Sequence, residues 1–170
     1  MSNFSVSHDD CLPRFCKSRV LILGCGNVLF GDDGFGPAVI EYLESHCAIP
    51  EDICILDVGT SIRDLLFTVA LSPVKPQTIL VIDTVDTGRK PGEIYVAPLE
   101  DFPPPKDSGF SLHQLPTSSL LGELKNYCQI DIVLISVQPE SIPKVVCPGL
   151  SEKVLAAIDP VCEYILKACL

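Results

Sequence analysis

Tryptophan is absent from this chain, methionine occurs once, and aromatic residues make up only 6% of it. An interior without many large rings has to be filled by Val, Ile and Leu, the composition of strands buried on both faces. Basic residues are also few: 12 Lys and Arg stand against 22 Asp and Glu, for a formal net charge of −10. A surface of that sign repels phosphate backbones, so nucleic acid is not an expected partner, whereas a cation or a basic peptide is. Apolar runs long enough to span a bilayer are missing, as is a basic segment followed by a long apolar stretch that would mark export. The nine cysteines fall at irregular positions (11, 16, 25, 47, 54, 128, 147, 162 and 169) and form no Cys-x-x-Cys pair. A disulfide framework or iron–sulfur site is therefore poorly supported, and several of these cysteines fall on apolar faces, where they act as small hydrophobes. Together these absences predict a cytoplasmic, thiol-reduced protein with no membrane partner.

What is present is organised around Leu21 to Gly36, where an apolar run ends in a Gly-x-Gly turn and continues into the adjacent carboxylates Asp32 and Asp33. Residues 1–17 are polar and irregular and read as a flexible extension, leaving 18–170 as a single α/β domain. Strands are predicted at Arg19 to Gly24, Asp52 to Asp57, Thr78 to Asp83 and Asp131 to Val137, each an apolar run closed by a turn or a carboxylate. Helical spacing begins at Pro37, at Ser61 with Asp64 as a capping-type pair, at Thr117, and at Ser151, the last continuing to Ala168 despite Pro160. Glu93 to Ala97 adds a strand too close to Asp83 for a parallel crossover, so it is expected to run antiparallel at a sheet edge. From Pro98 to Leu115 the chain reads as a long loop with three successive prolines, a length usually reserved for function or disorder. The predicted architecture is an α/β three-layer sandwich: a mostly parallel central sheet, one antiparallel edge strand, and helices on both faces.

Three chemistries compete for the glycine turn and its acids. A dinucleotide loop needs a third glycine where Leu29 stands and a helix immediately after the turn, and Asp32 and Asp33 would repel a pyrophosphate. A metal site could draw a carboxylate from Asp32 or Asp33, a second from Asp83 and an imidazole from His113, a donor set suited to nickel or zinc with open positions. Beside it stands a structural alternative, in which Asp33 and Asp83 cap helices or turns and His113 is a loop histidine like His8 and His46. Hydrolysis without a metal has weaker support. No Gly-x-Ser-x-Gly elbow exists, a Cys25–His113 pair would draw its nucleophile from a position suited to packing, and Asp83-Thr84 is followed by Val85 rather than the glycine of aspartic proteases.

Taken together, Gly24-Cys-Gly-Asn27, Gly31-Asp-Asp-Gly-Phe-Gly36, Asp57-Val-Gly-Thr60, Val81-Ile-Asp83, Lys90-Pro-Gly92, Ser111-Leu-His-Gln114, Val137-Gln-Pro-Glu140 and Gly149-Leu-Ser151 resemble the hydrogenase maturation endopeptidases. The resemblance runs from about Arg19 to the C-terminus, and the forms Gly-Cys-Gly-Asn and Ser-Leu-His-Gln are similar to the branch serving coenzyme F420-reducing hydrogenase. It implies an endopeptidase of the aspartyl-type class that removes the C-terminal extension of a nickel–iron hydrogenase large-subunit precursor after nickel insertion. Position by position, it places the metal-contacting and catalytic groups on Asp33, Asp83 and His113. Some members carry Glu where this chain has Asp33, a side chain one methylene longer. The nickel implied is that of the precursor, with zinc or cadmium able to occupy the site in isolation. The other readings that remain are a non-catalytic assembly factor holding the precursor through the same cleft and, more distantly, a small-molecule cofactor enzyme using the glycine turn.

Overall fold

A computed structural model describes residues 12–102 and 115–169, with backbone alone over 115–119. Five strands form one sheet: β1 (Val20–Cys25), β2 (Ile53–Gly59), β3 (Thr78–Thr84), β4 (Ile94–Pro98) and β5 (Asp131–Val137). Their spatial order is β2-β1-β3-β5-β4. The first four in that order pair in parallel, and β4 runs antiparallel to β5 at the edge, as the short β3–β4 connection requires. The helices are α1 (Arg14–Lys17), α2 (Phe35–His46), α3 (Ile62–Leu71), α4 (Leu115–Cys128), α5 (Glu152–Leu155) and α6 (Ile158–Cys169).

Alternation along the strands divides the interior in two, because successive strand side chains point to opposite faces. Val20 and Ile22 of β1 join Ile53, Leu80, Ile82 and Ile135 beneath α2 and α6, where Val39, Ile40, Leu43, Val161 and Ile165 complete one core. Leu21, Leu23 and Cys25 face the other way, with Ile79, Val81, Ile132 and Leu134, and pack against Leu66 and Val69 of α3 and Leu121 and Leu124 of α4. All six residues of β1 are buried. The three-layer sandwich with its antiparallel edge strand is the architecture the sequence pattern predicts.

The differences are local and have physical causes. Helix α2 starts at Phe35 rather than Pro37, because a 3₁₀ turn over Gly31–Gly34 leads into it and Pro37 falls within the first turn, where its missing N–H costs nothing. Pro160 divides the last helix: lacking an N–H to return to Ala156, it leaves a turn at Ala156 and Ala157 between α5 and α6. Ser61 precedes α3 without a side-chain capping bond, and its carbonyl instead accepts the Asp64 N–H at 3.2 Å. Residues 14–17, placed by the sequence pattern in a flexible extension, form a helical turn. Cys16 is fully buried there and Arg14 Nη2 donates to the Ile53 carbonyl at 3.1 Å. Of the long loop after Pro98, Leu99–Asp101 forms a 3₁₀ turn and residues 103–114 lie outside the described chain.

Candidate active site at the switch point

The chain leaves β1 for β2 on one side of it and returns to β3 on the other, so the order of strands reverses at β1. In an open α/β sheet the crevice beyond the carboxyl ends of such a pair of strands is where ligands bind. Here those ends are Gly24-Cys25 and Asp83-Thr84. Helix α2 closes directly on them: a Cβ on Gly36 would stand 2.2 Å from the Cys25 carbonyl oxygen and 2.7 Å from that of Ile82. Only glycine permits this approach, and it presents the 3₁₀ turn with Asp32 and Asp33 at the mouth of the crevice.

Asp33 is half-buried, and its Oδ2 accepts the Asn27 N–H at 2.8 Å, while the same N–H faces the Asp33 carbonyl at 3.1 Å. Gly26 makes this fold-back possible, with φ of 126° and a hypothetical Cβ only 1.8 Å from the Asp33 carbonyl oxygen. Burial raises the Asp33 carboxyl above its ordinary range, partly offset by the Asn27 N–H. Asp83 is buried at the end of β3, and its Oδ1 accepts the Thr84 N–H at 2.8 Å. Burial pushes its pKa up to about 7, the Thr84 N–H opposes this, and the charge of Asp33 adds to it. Cys25 lies in the same field: burial, then the charges of Asp83, Asp57 and Asp33, hold its thiol well above the usual range. Burial first, and the three carboxylates after it, disfavour the thiolate, so Cys25 is poorly suited to be the attacking group of a Cys25–His113 pair.

Asp32, adjacent to Asp33, does something different. Its Oδ2 accepts the N–H groups of Glu140 (2.8 Å) and Ser141 (2.9 Å) and the Ser151 hydroxyl (3.1 Å), and its Oδ1 accepts the Ser151 N–H (2.7 Å). Its carbonyl accepts the Thr84 hydroxyl at 2.7 Å, joining the 3₁₀ turn to the end of β3. Asp32 is 1% exposed and fully engaged, so the Asp32-or-Asp33 ambiguity resolves into a structural acid and an accessible one. Gln138 is a second organiser that the sequence pattern did not single out. Its Oε1 accepts the N–H groups of Thr87 (2.9 Å) and Arg89 (3.1 Å), and its Nε2 donates to Asp86 Oδ1 (2.9 Å), fixing the turn between β3 and β4. Its place one residue beyond β5, within Val137-Gln-Pro-Glu140, was the available signal.

Asp33 and Asp83 are therefore brought to one crevice, and His113, the third predicted member, lies outside the described residues. Among the described residues no group of three or more His, Cys, Asp or Glu is arranged to hold a metal ion. A family model described as hydrogenase maturation protease matches residues 37–168. The chain belongs to the hydrogenase maturation protease family. Its members include a candidate hydrogenase maturation protease of Methanocaldococcus jannaschii, 37% identical over 152 residues that cover 88% of this chain and 96% of that protein. The coenzyme F420 hydrogenase subunit delta of Methanothermobacter thermautotrophicus is 34% identical over 154 residues, 88% of this chain and 93% of that one. The crystal structure of the nickel–iron hydrogenase maturation protease HycI of Thermococcus kodakarensis superposes with a TM-score of 0.70 at 30% identity, covering 89% of this chain and 92% of that chain. This chain is accordingly a peptidase, a hydrolase of hydrogenase maturation. No helix among the described residues of this protease is long and apolar enough to cross a membrane.

Proposed function

We propose that this protease removes the C-terminal extension of a nickel–iron hydrogenase large-subunit precursor once nickel is in place, and that Asp33, Asp83 and His113 read that nickel. The observation that carries the reading is the placing of two carboxylates at one strand-end crevice: Asp83 is buried at the end of β3, and the turn after β1 holds Asp33 near enough for its charge to add to the effect of burial on the Asp83 carboxyl. Two carboxylates that resist joint ionisation are relieved by a cation, so a nickel-bearing precursor is favoured over a nickel-free one by the same charges that repel each other without it. Oxygen donors with one imidazole suit nickel and leave positions for its other ligands. Asp33, Asp83 and His113 would hold that ion beside the scissile bond, where it could supply either of two chemistries, polarising the carbonyl or activating a water.

Incubating the protein with nickel-loaded precursor is expected to shorten it, and Asp33→Asn, Asp83→Asn and His113→Ala are each expected to abolish the shortening. Wild-type cleavage by all three variants would overturn the assignment. A stable complex that never yields a shortened chain would instead mark an assembly factor.

A further inference from the structure

Beside the turn that carries Asp33, four aliphatic side chains are exposed. Val28 and Leu29 are 52% and 46% exposed, and Val145 and Val146 are 71% and 65% exposed. Far apart in sequence, the two pairs are joined by backbone: the Cys147 N–H donates to the Leu29 carbonyl at 2.8 Å, and the Gly31 N–H donates to the Cys147 carbonyl at 2.9 Å. Phe30 and Cys147 form a parallel bridge between them. On its other side the patch continues into the acid turn, for Val28 Cα would lie 3.0 Å from a Cβ on Gly34, and the Asn27 N–H holds the Asp33 carboxylate. The segment that presents these side chains is thus the segment that positions Asp33.

Exposed aliphatic side chains on a backbone-paired support mark an interaction surface, because the fold itself gains nothing from leaving them in water. A peptidase must hold its polypeptide on the flanks of the bond it cuts, and this patch is continuous with the turn carrying Asp33. Its four side chains bear neither charge nor hydrogen-bonding groups, so what they accept is aliphatic. Anionic lipid is disfavoured by the net charge of −10. We propose that Val28, Leu29, Val145 and Val146 form the docking surface for an uncharged aliphatic segment of the protein substrate beside its scissile bond. The proposal rests on the processing reading above, and it replaces the basic peptide suggested by overall charge with an apolar one at this place.

The test is the triple variant Leu29→Gln, Val145→Gln, Val146→Gln, assayed on nickel-loaded precursor beside Leu71→Gln, a control at an 85% exposed position on α3. Neutral glutamines leave the field at Asp33 and Asp83 unaltered. The expected result is a rise in KM of about tenfold or more in the triple variant, with kcat within about twofold of wild type and the melting temperature unchanged, the signature of lost ground-state binding. Leu71→Gln is expected to match wild type in both constants. An unchanged KM, or a fall in kcat alone, would overturn the docking surface. So would a wild-type dimer that the triple variant converts to monomer without changing KM, which assigns the patch to a second copy. If Asp33→Asn and Asp83→Asn abolish cleavage while the triple variant keeps the wild-type KM, docking alone fails. If those two variants cleave normally, the processing reading fails first.

Discussion

At the scale of single residues, two neighbouring aspartates of one turn have opposite tasks, set by what surrounds them. Asp32 is saturated by three N–H groups and a hydroxyl, whereas Asp33 has one backbone donor and partial access to water. Asp83 carries the stronger consequence. Its folded pKa of about 7 lies above that of an unfolded Asp, roughly 3.9, so the native state binds the extra proton between those values. Stability is therefore expected to fall as pH rises from about 4 to about 7 and to level off above, with Asp33 adding in the same direction. Asp83→Asn keeps an oxygen for the Thr84 N–H and removes the buried charge, so at pH 8 it is expected to be more stable than wild type by an amount on the order of 1 kcal/mol or more, with a flatter profile. Urea titrations at pH 5 and pH 8 check this, and an equal pH dependence in both proteins would count against it. Gain of stability with loss of activity is the pattern of a functional charge held in an unfavourable place.

The elements show how much of the site depends on struts between distant segments. Asp32 ties the 3₁₀ turn after β1 to the loop after β5 and to the residue before α5, and its carbonyl receives the Thr84 hydroxyl from β3. Asp32→Ala leaves these donors without their acceptor and is expected to cost about 2–4 kcal/mol, measured by denaturant unfolding. A change within about 0.5 kcal/mol would show that water replaces the carboxylate without loss. The strands were legible in the sequence because short continuous apolar runs ending on Asp57, Asp83 or glycine leave little choice of element. The bond partners of Asp32 and Gln138 were not legible, since 108 to 119 residues separate Asp32 from the donors to its carboxylate, and no local pattern encodes such a pairing. The burial of Cys16 escaped for a related reason, since it depends on how a backbone position packs, whereas the break ahead of Pro160 follows from a missing N–H that the apolar stripe of the last helix outweighed in the sequence reading.

Over the whole molecule, an acidic chain concentrates three charge-sensitive groups, Asp33, Asp83 and Cys25, at one strand-end crevice. Under the processing reading, a divalent ion bound there must displace the proton that Asp83 retains below about pH 7. Nickel or zinc affinity of the isolated protein is expected to weaken as pH falls from 7 to 5, with about one proton released per ion near the lower end. Calorimetry in two buffers of different ionisation enthalpy reads that proton directly, and pH-independent binding without release would remove Asp83 from the donor set. The sequence by itself determined the strands, the antiparallel edge strand and the acids at strand ends, because those follow from short apolar runs, from the length of the connections between them and from turn residues adjacent in the chain. Only the tertiary structure decided that Asp32 braces while Asp33 lies at the crevice, that burial raises the Asp83 carboxyl, and that the backbone of Leu29 bonds to that of Cys147, next to Val145 and Val146. Each of those is a matter of which residues far apart in sequence exclude water from one another, and burial of that kind exists only once the chain has folded.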